Sequence, residues 1–270
     1  MELETLSLSI ADGIAHVKLT RGDALNTMTP QFWEDMIAAF NAIEKDGSVR
    51  AAVLSSEGRH FTAGLDLKSS AILTPQDADI ARQRLNFIHH LKRLQHAFNV
   101  IEDSRVPVIA AIQGGCIGGG VDMVCACDMR VAAKDSYFTI QEINVGIVAD
   151  VGTLQRIPYL LPEGIVRELT YTGRKFGAEE ASRYGFVNQV ADSHEGAVEA
   201  AMEMAREIAS KSPVAVAGCK VMLNRGRDMT VSQGLDYVGV WNAAFLQGED
   251  LKEAMMSRVE KRDAKFADIG

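Results

Sequence analysis

Polar and apolar positions alternate over residues 5–10 and again over 13–20 (Ile14, Ala15, His16, Val17, Lys18, Leu19), with Asp12-Gly13 between the two runs. A period of two joined by Asp-Gly predicts a β-hairpin with one buried face. Thr29-Pro30 then supplies an N-cap and a first helical residue, and Phe32, Trp33, Met36, Ile37 and Phe40 follow at helical spacing to about Lys45. The apolar run at 49–55 predicts a buried strand, and the small residues of 58–64 a loop. Thr74-Pro75 restarts a helix, along which Ile80, Leu85, Ile88, Leu91, Leu94, Phe98 and Ile101 hold the 3.6-residue period until Pro107 forces extension.

The same order then recurs: a buried strand at 108–112, a glycine loop at 114–120, a short helical start at 121–125 and an apolar strand at 129–133. From about residue 195 the pattern is almost wholly helical, over 194–211, 213–224, 230–247 and 249–262, with Ser212-Pro213 as a further cap and first-turn pair. No Pro/Gly/Ser linker precedes it. The expectation is an α/β body over 1–194 and a helical C-terminal subdomain over 195–270, packed on the body or on a neighbouring subunit.

Composition narrows the function classes. With 270 residues and 47% hydrophobic positions, the chain can bury a core without metal or disulfide staples. The net charge of −8 and the absence of a basic block argue against nucleic acid as a partner, although a few local Lys or Arg could still hold a phosphorylated small molecule. Cys116, Cys125, Cys127 and Cys219 lack CxxC spacing, which suits a reducing compartment. No run approaches 18 apolar residues, and the first residues carry acids rather than a basic leader; a soluble cytoplasmic protein with no membrane partner is expected.

Two loops could carry chemistry. The segment 114–120 has neither G-x-G-x-x-G nor a G-K-S/T ending, so dinucleotide and P-loop readings fail. Its bare backbone opens a helix, where free N–H groups can face an anion or a developing oxyanion; tight helix–strand packing explains the glycines equally well. Thr62, Ala63 and Gly64 let the backbone near Leu65 approach a ligand as a second donor, and one such donor is typically worth about 2.7–4 kcal/mol in a transition state. Asp66 fits an ordinary N-cap.

Three acids lie in apolar surroundings: Asp122, Glu142 and Asp150. Desolvation raises the pKa of such groups toward the range a general acid or base needs. On a continuous helix Glu142 and Asp150 would stand roughly 12 Å apart and about 80° around the axis, but Gly146 interrupts the helix and a turn could set them at two ends of a substrate. Capping of a helix near Gly152-Thr153 is the alternative for Asp150. His89, His90 and His96 form no HExxH pattern, no metal site is expected, and no G-x-S-x-G elbow occurs.

FTAGLDL at 61–67, AAIQGGCIGGGVDM at 110–123 and GEDLKEAMMSRVEKRDAKF at 248–266 resemble the enoyl-CoA hydratase/isomerase (crotonase) superfamily across nearly the whole chain. VDMVCACDMR with QEINVGIVADVGTLQRIP at 141–158 is most similar to its Δ3,5-Δ2,4-dienoyl-CoA isomerase branch, because acids fill three positions rather than two. The resemblance implies a ClpP-like fold, a repeated β-β-α spiral core with helical C-terminal subdomain. It implies an acyl-CoA thioester substrate, with the thioester oxygen held by the N–H groups of Leu65 and Gly119 and the site lined by Phe61, Thr62, Ala63, Gly64 and Leu65. Asp150 would take a proton from C2 and Glu142 return one at C6, while Asp122 holds the position of a hydratase glutamate. No cofactor is implied beyond the coenzyme A of the substrate. A homotrimer or homohexamer is implied, with Lys265 near the CoA phosphates. Phe98, Trp241 and Phe245 fit either an acyl tunnel or plain core. Two other functions stay open: a 2-enoyl-CoA hydratase using Asp122 and Glu142, and a non-catalytic protein binding acyl-CoA, RNA or a partner.

Overall fold

In the computed structural model, which describes residues 1–69 and 79–270, the opening hairpin is built as its alternation predicts. Strand β1 (Leu6–Ala11) pairs antiparallel with β2 (Ile14–Leu19), Leu6 facing Leu19 and Ala11 facing Ile14. Asp12 and Gly13 both take positive φ, 51° and 75°, as a two-residue hairpin turn of matching twist requires. Parallel strands then add in turn: β3 (Ala51–Ser56), β4 (Val108–Ile112), β6 (Met129–Ala133) and β9 (Gln189–Ala191), giving the order β1-β2-β3-β4-β6-β9. β3 and β4 are buried at every position, which explains why they read as unbroken apolar runs rather than alternations.

A smaller sheet stands beside the large one. It joins β5 (Gly115–Ile117), β7 (Tyr137–Thr139) and β8 (Phe176–Gly177) in that order. The glycine segment expected as loop thus contains a strand, parallel to β7. Its residues offer a pairing backbone but almost no side-chain pattern to read. Chain then enters helix α3 (Gly119–Ala126), whose eight residues are all buried.

Helices α1 (Pro30–Lys45) and α2 (Ile80–Asp103) cover one face of the large sheet, where Phe32, Trp33 and Phe98 meet with ring centroids 5.2–6.4 Å apart. Phe98 is therefore core rather than tunnel lining. The expected start of α2 at Thr74-Pro75 lies outside the described residues. Asp79 caps the helix by accepting from the Ala81 N–H at 2.9 Å. Ile80, Leu85, Phe87 and Ile88 stay exposed, so the apolar stripe of α2 finds its partners only from Leu91 onward.

After α4 (Thr153–Arg156), α5 (Glu163–Thr172) and α6 (Ala178–Arg183), helix α7 (His194–Ala209) covers the other face of the sheet. Ala197, Ala201 and Ala205 recur every four residues, and their small side chains bring α7 against Val53, Ile109 and Val131. The first helix of the expected C-terminal region is thus a layer of the core. Only α8 (Pro213–Gly226), α9 (Val231–Phe245) and α10 (Glu249–Glu260) extend from it, with Trp241 and Phe245 packed ring to ring at 4.6 Å on α9. Among the described residues no helix is long and apolar enough to cross a membrane.

One buried cation fastens α8 to the body. The Lys220 ammonium, 5% exposed, donates to Asp128 Oδ2 at 2.8 Å, to Val106 O at 2.9 Å and to Ile101 O at 3.3 Å. Asp128 also accepts from the Val108 N–H at 2.7 Å. Breaking one side of a buried pair leaves the other charge uncompensated. Asp128→Ala should therefore lower unfolding free energy by about 3 kcal/mol, read as a fall in the urea midpoint; an unchanged midpoint would show that the pair does not anchor α8.

Candidate active site

Two chain segments run side by side to make the floor of the site. Phe61 N–H donates to Gln113 O at 2.9 Å, Thr62 N–H to Gly115 O at 3.1 Å, and Ile117 N–H to Thr62 O at 3.1 Å. The Thr62 hydroxyl, fully buried, donates to Asn26 O at 2.7 Å and accepts from the Gly64 N–H at 3.0 Å. Gly64 has φ +82°, and a Cβ there would stand 2.7 Å from Ile117 O and 3.6 Å from the Gly119 nitrogen, so only glycine permits this approach. The crossing brings the backbone just before Leu65 against the start of α3.

The two candidate donors are free of acceptors among the described residues. Met28 N–H donates to Gly64 O and Asp66 N–H to Met28 O, at 2.9 and 3.1 Å, so the groups flanking the Leu65 N–H are engaged. The N–H groups of Leu65 and Gly119 meet no acceptor among the described residues. Phe61 and Gly119 are buried, while Ala63 and Leu65 are half-buried. Asp66 accepts from the Lys68 N–H at 3.0 Å, closing a turn rather than capping a described helix.

Each acid is held by a different device. Asp122, in the first turn of α3, is fully buried; its Oδ1 accepts from the Thr153 N–H at 2.6 Å, and no donor reaches its Oδ2 among the described residues. Burial raises its pKa to about 6, against the opposing hydrogen bond from Thr153. Glu142 lies on a 3-10 turn (Gln141–Val145) that Gly146 ends at φ +78°, which breaks the helix between Glu142 and Asp150 as the sequence suggests. Glu142 Oε1 stands 3.3 Å from where a Gly118 Cβ would be, Oε2 is buried with no donor reaching it among the described residues, and the Asp122 carboxyl is close enough to share a proton with Glu142. Burial first, then the neighbouring Asp122 charge, push its pKa to about 7.

Asp150 stands at the rim. The residue is exposed, yet partial burial still raises its carboxyl above the usual aspartate range, and its carbonyl accepts from Gln95 Nε2 of α2 at 2.7 Å. Capping does not account for it: Gly152 is the N-cap of α4, with no side-chain cap, and the acceptor for Thr153 N–H is Asp122. Electrostatic coupling links Asp122 to both Glu142 and Asp150, so the three acids form one group.

Sequence reasoning missed Gln95, Thr153 and Arg156. The Arg156 guanidinium, which stabilises ionised Asp122, is held by Glu102 at 2.8 Å and Asn99 at 2.7 Å. All three act through backbone or long-range contacts that leave no local pattern. Lys265 is exposed after α10, its N–H bound to Glu253 at 2.7 Å. A polar cleft of about 1060 Å³ opens between α2, α4, α8 and α9; Gln95, Val151 and Gly152 border it, but none of the three acids does. Among the described residues no cluster of His, Cys, Asp and Glu is arranged to hold a metal.

Raised carboxyl pKa values carry a stability consequence. The folded state keeps protons that the unfolded chain releases, so ionisation of Glu142 and Asp122 costs stability as pH rises from about 4 to about 7. Glu142→Gln should thus be more stable than the parent at pH 8 by on the order of 1–3 kcal/mol, with the gap closing toward pH 4. Denaturant melts at the two pH values check this; a pH-independent difference would mean Glu142 titrates normally.

Comparison with known proteins identifies the family. The family model described as enoyl-CoA hydratase/isomerase matches residues 9–269. A mitochondrial Delta(3,5)-Delta(2,4)-dienoyl-CoA isomerase from Homo sapiens is 45% identical over 255 residues, 93% of this chain and 78% of the relative. The peroxisomal protein of that name from Arabidopsis thaliana is 37% identical over 270 residues, 99% of this chain and 97% of the relative. The crystal structure of enoyl-CoA hydratase from Bacillus anthracis superposes with a TM-score of 0.88 at 29% identity, covering 97% of this chain and 99% of that one. Matched from β1 to the C-terminal tail, with the crotonase fold of its structural neighbours, the chain belongs to the enoyl-CoA hydratase/isomerase family.

Proposed function

We propose that this protein is an acyl-CoA isomerase that converts 3,5-dienoyl-CoA to 2,4-dienoyl-CoA in unsaturated fatty acid β-oxidation. Relatives named dienoyl-CoA isomerase at 37–45% identity support the reaction. The observation that carries it within the site is the pairing of two unused N–H groups, Leu65 and Gly119, with a group of three acids whose pKa values are all raised.

The thioester oxygen accepts from Leu65 and Gly119. One carboxylate removes a proton from C2, and the electron pair spreads through the two double bonds to the oxygen, where the N–H pair stabilises it. The second acid returns a proton at C6, leaving double bonds at C2 and C4. No water or redox partner enters the balance. Glu142 Oε1 stands beside Gly118, one residue from the Gly119 donor, whereas Asp150 is exposed at the rim. Glu142 is therefore the better placed base for C2, and Asp150 the better placed donor for C6. This reverses the order that the family resemblance implies. A pKa of about 7 suits Glu142 to exchange protons near neutrality. Asp122 positions the others: it fastens Thr153, three residues beyond Asp150, and its charge raises Glu142.

A hydratase would use Asp122 and Glu142 to hold water and leave Asp150 dispensable. Turnover of 3,5-dienoyl-CoA in deuterium oxide separates the readings. Asp150→Asn should lose isomerisation by on the order of 10²–10⁴-fold while still exchanging the C2 hydrogen with solvent, and Glu142→Gln should lose both. Full isomerisation by Asp150→Asn would remove Asp150 from the reaction, and lost C2 exchange in Asp150→Asn alone would restore the opposite order.

The same proposal includes a homotrimer or a pair of trimers. Leu223, Val231, Leu235, Val240 and Val259 on α8–α10 are 65–83% exposed in the single chain, more apolar surface than an isolated subunit ordinarily leaves wet. Sedimentation at micromolar concentration should give three or six copies, and a monomer would overturn this part. A cytoplasmic location is proposed on the four free cysteines, against relatives named mitochondrial and peroxisomal.

A further inference from the structure

One titratable side chain outside the acid group is built into the frame of the N–H pair. His60 lies half-buried on the segment leading to Leu65. Its Nδ1 accepts from the Gly115 N–H at 2.9 Å, and its carbonyl accepts from Asn26 Nδ2 at 3.0 Å. Gly115 opens β5, four residues before the Gly119 donor. The other rungs between these segments, from Phe61, Thr62 and Ile117, are main chain to main chain. The His60 rung alone among them depends on a group that loses its acceptor when it takes a proton. With Nδ1 accepting, the neutral ring carries its hydrogen on Nε2.

The surroundings keep that ring neutral. Facing it are Arg59 on its own segment, Asp135 between β6 and β7, Tyr137 of β7 with ring centroids 6.4 Å away, and Lys175 ahead of β8. The Lys175 ammonium sits 4.1 Å from the centre of the Tyr137 ring, and Asp135 Oδ1 lies 3.5 Å from the Gly114 N–H as its acceptor. Burial, then Arg59 and Lys175, outweigh Asp135 and hold the imidazole below its ordinary range.

We propose that neutral His60 is a positioning residue for the thioester-binding N–H pair, holding the 113–119 segment in register with 60–65 through Gly115, and that its protonation releases this rung. The inference rests on the reading of Leu65 and Gly119 as the thioester donors. Displacement of such donors by a fraction of an ångström acts on the transition state more than on ground-state binding.

Two variants test it. His60→Asn puts an oxygen near the Nδ1 position that accepts but does not titrate; His60→Leu removes the acceptor. Hydrogen exchange of the peptide covering 113–119, followed by mass spectrometry and corrected for intrinsic exchange, reads the rung directly between pH 5 and 8. The parent should be protected at pH 7.5 and lose protection on acidification, His60→Asn should stay protected throughout, and His60→Leu should be unprotected throughout. Isomerisation of 3,5-dienoyl-CoA at pH 7.5 should show kcat lowered on the order of tenfold or more in His60→Leu with KM little changed, and recovered in His60→Asn. Equal exchange in all three proteins overturns the proposal, as does lost protection in His60→Leu with parental kcat. If His60→Leu does not fold, matching acid dependence of exchange in the parent and His60→Asn overturns it. Failure of the acid–base reading would show instead in Glu142→Gln and Asp150→Asn, with the His60 exchange data unaffected.

Discussion

The backbone ladder between residues 60–65 and 113–119 is the constraint on which the rest of the site depends. It joins the end of β3 to the end of β4, parallel neighbours in the large sheet, and uses up the hydrogen-bonding groups around two N–H donors while leaving those two free. Unpaired donors in a buried or half-buried setting are costly unless something accepts from them. That cost is the physical sign of a ligand site. The glycines belong to the same logic: at Gly64 any side chain would collide with Ile117 O and spoil the crossing.

The acids impose the second constraint, and it opposes folding. Asp122 and Glu142 each carry a buried oxygen that no donor reaches among the described residues, and burial disfavours charge on both. Burial raises both pKa values, and the Asp122 charge raises that of Glu142 further, which is unfavourable for stability near neutrality and useful for moving protons. Arg156, braced by Glu102 and Asn99, offsets part of the Asp122 charge. Glu102 also receives Arg227 and, through its carbonyl, the Asn224 amide, so the helix α8 and the acid group share one polar brace.

Much of this was legible in the sequence, where local periodicity carries the signal. The Asp12-Gly13 hairpin, the Thr29-Pro30 helix start and the four C-terminal helices fall where alternation, caps and period place them. Three things were not legible. β5 is hidden because a glycine-rich strand three residues long has no facial pattern. The Asp122–Thr153 bond joins residues 31 apart, so Asp150 could pass for a cap until the backbone at Gly152 was known. His60 contacts main chain rather than another side chain, and such a contact has no spacing rule. The long apolar stripe of α2 misled in the other direction, since its first half is exposed.

The arrangement of donors and acids is tested most directly by a crystal structure of this chain with an unreactive dienoyl-CoA analogue. The account predicts the thioester oxygen about 2.7–3.1 Å from both the Leu65 and Gly119 nitrogens, with the Glu142 carboxyl toward C2 and the Asp150 carboxyl toward C6. A thioester bound away from those two N–H groups, or an acyl chain that passes neither carboxyl, would contradict it.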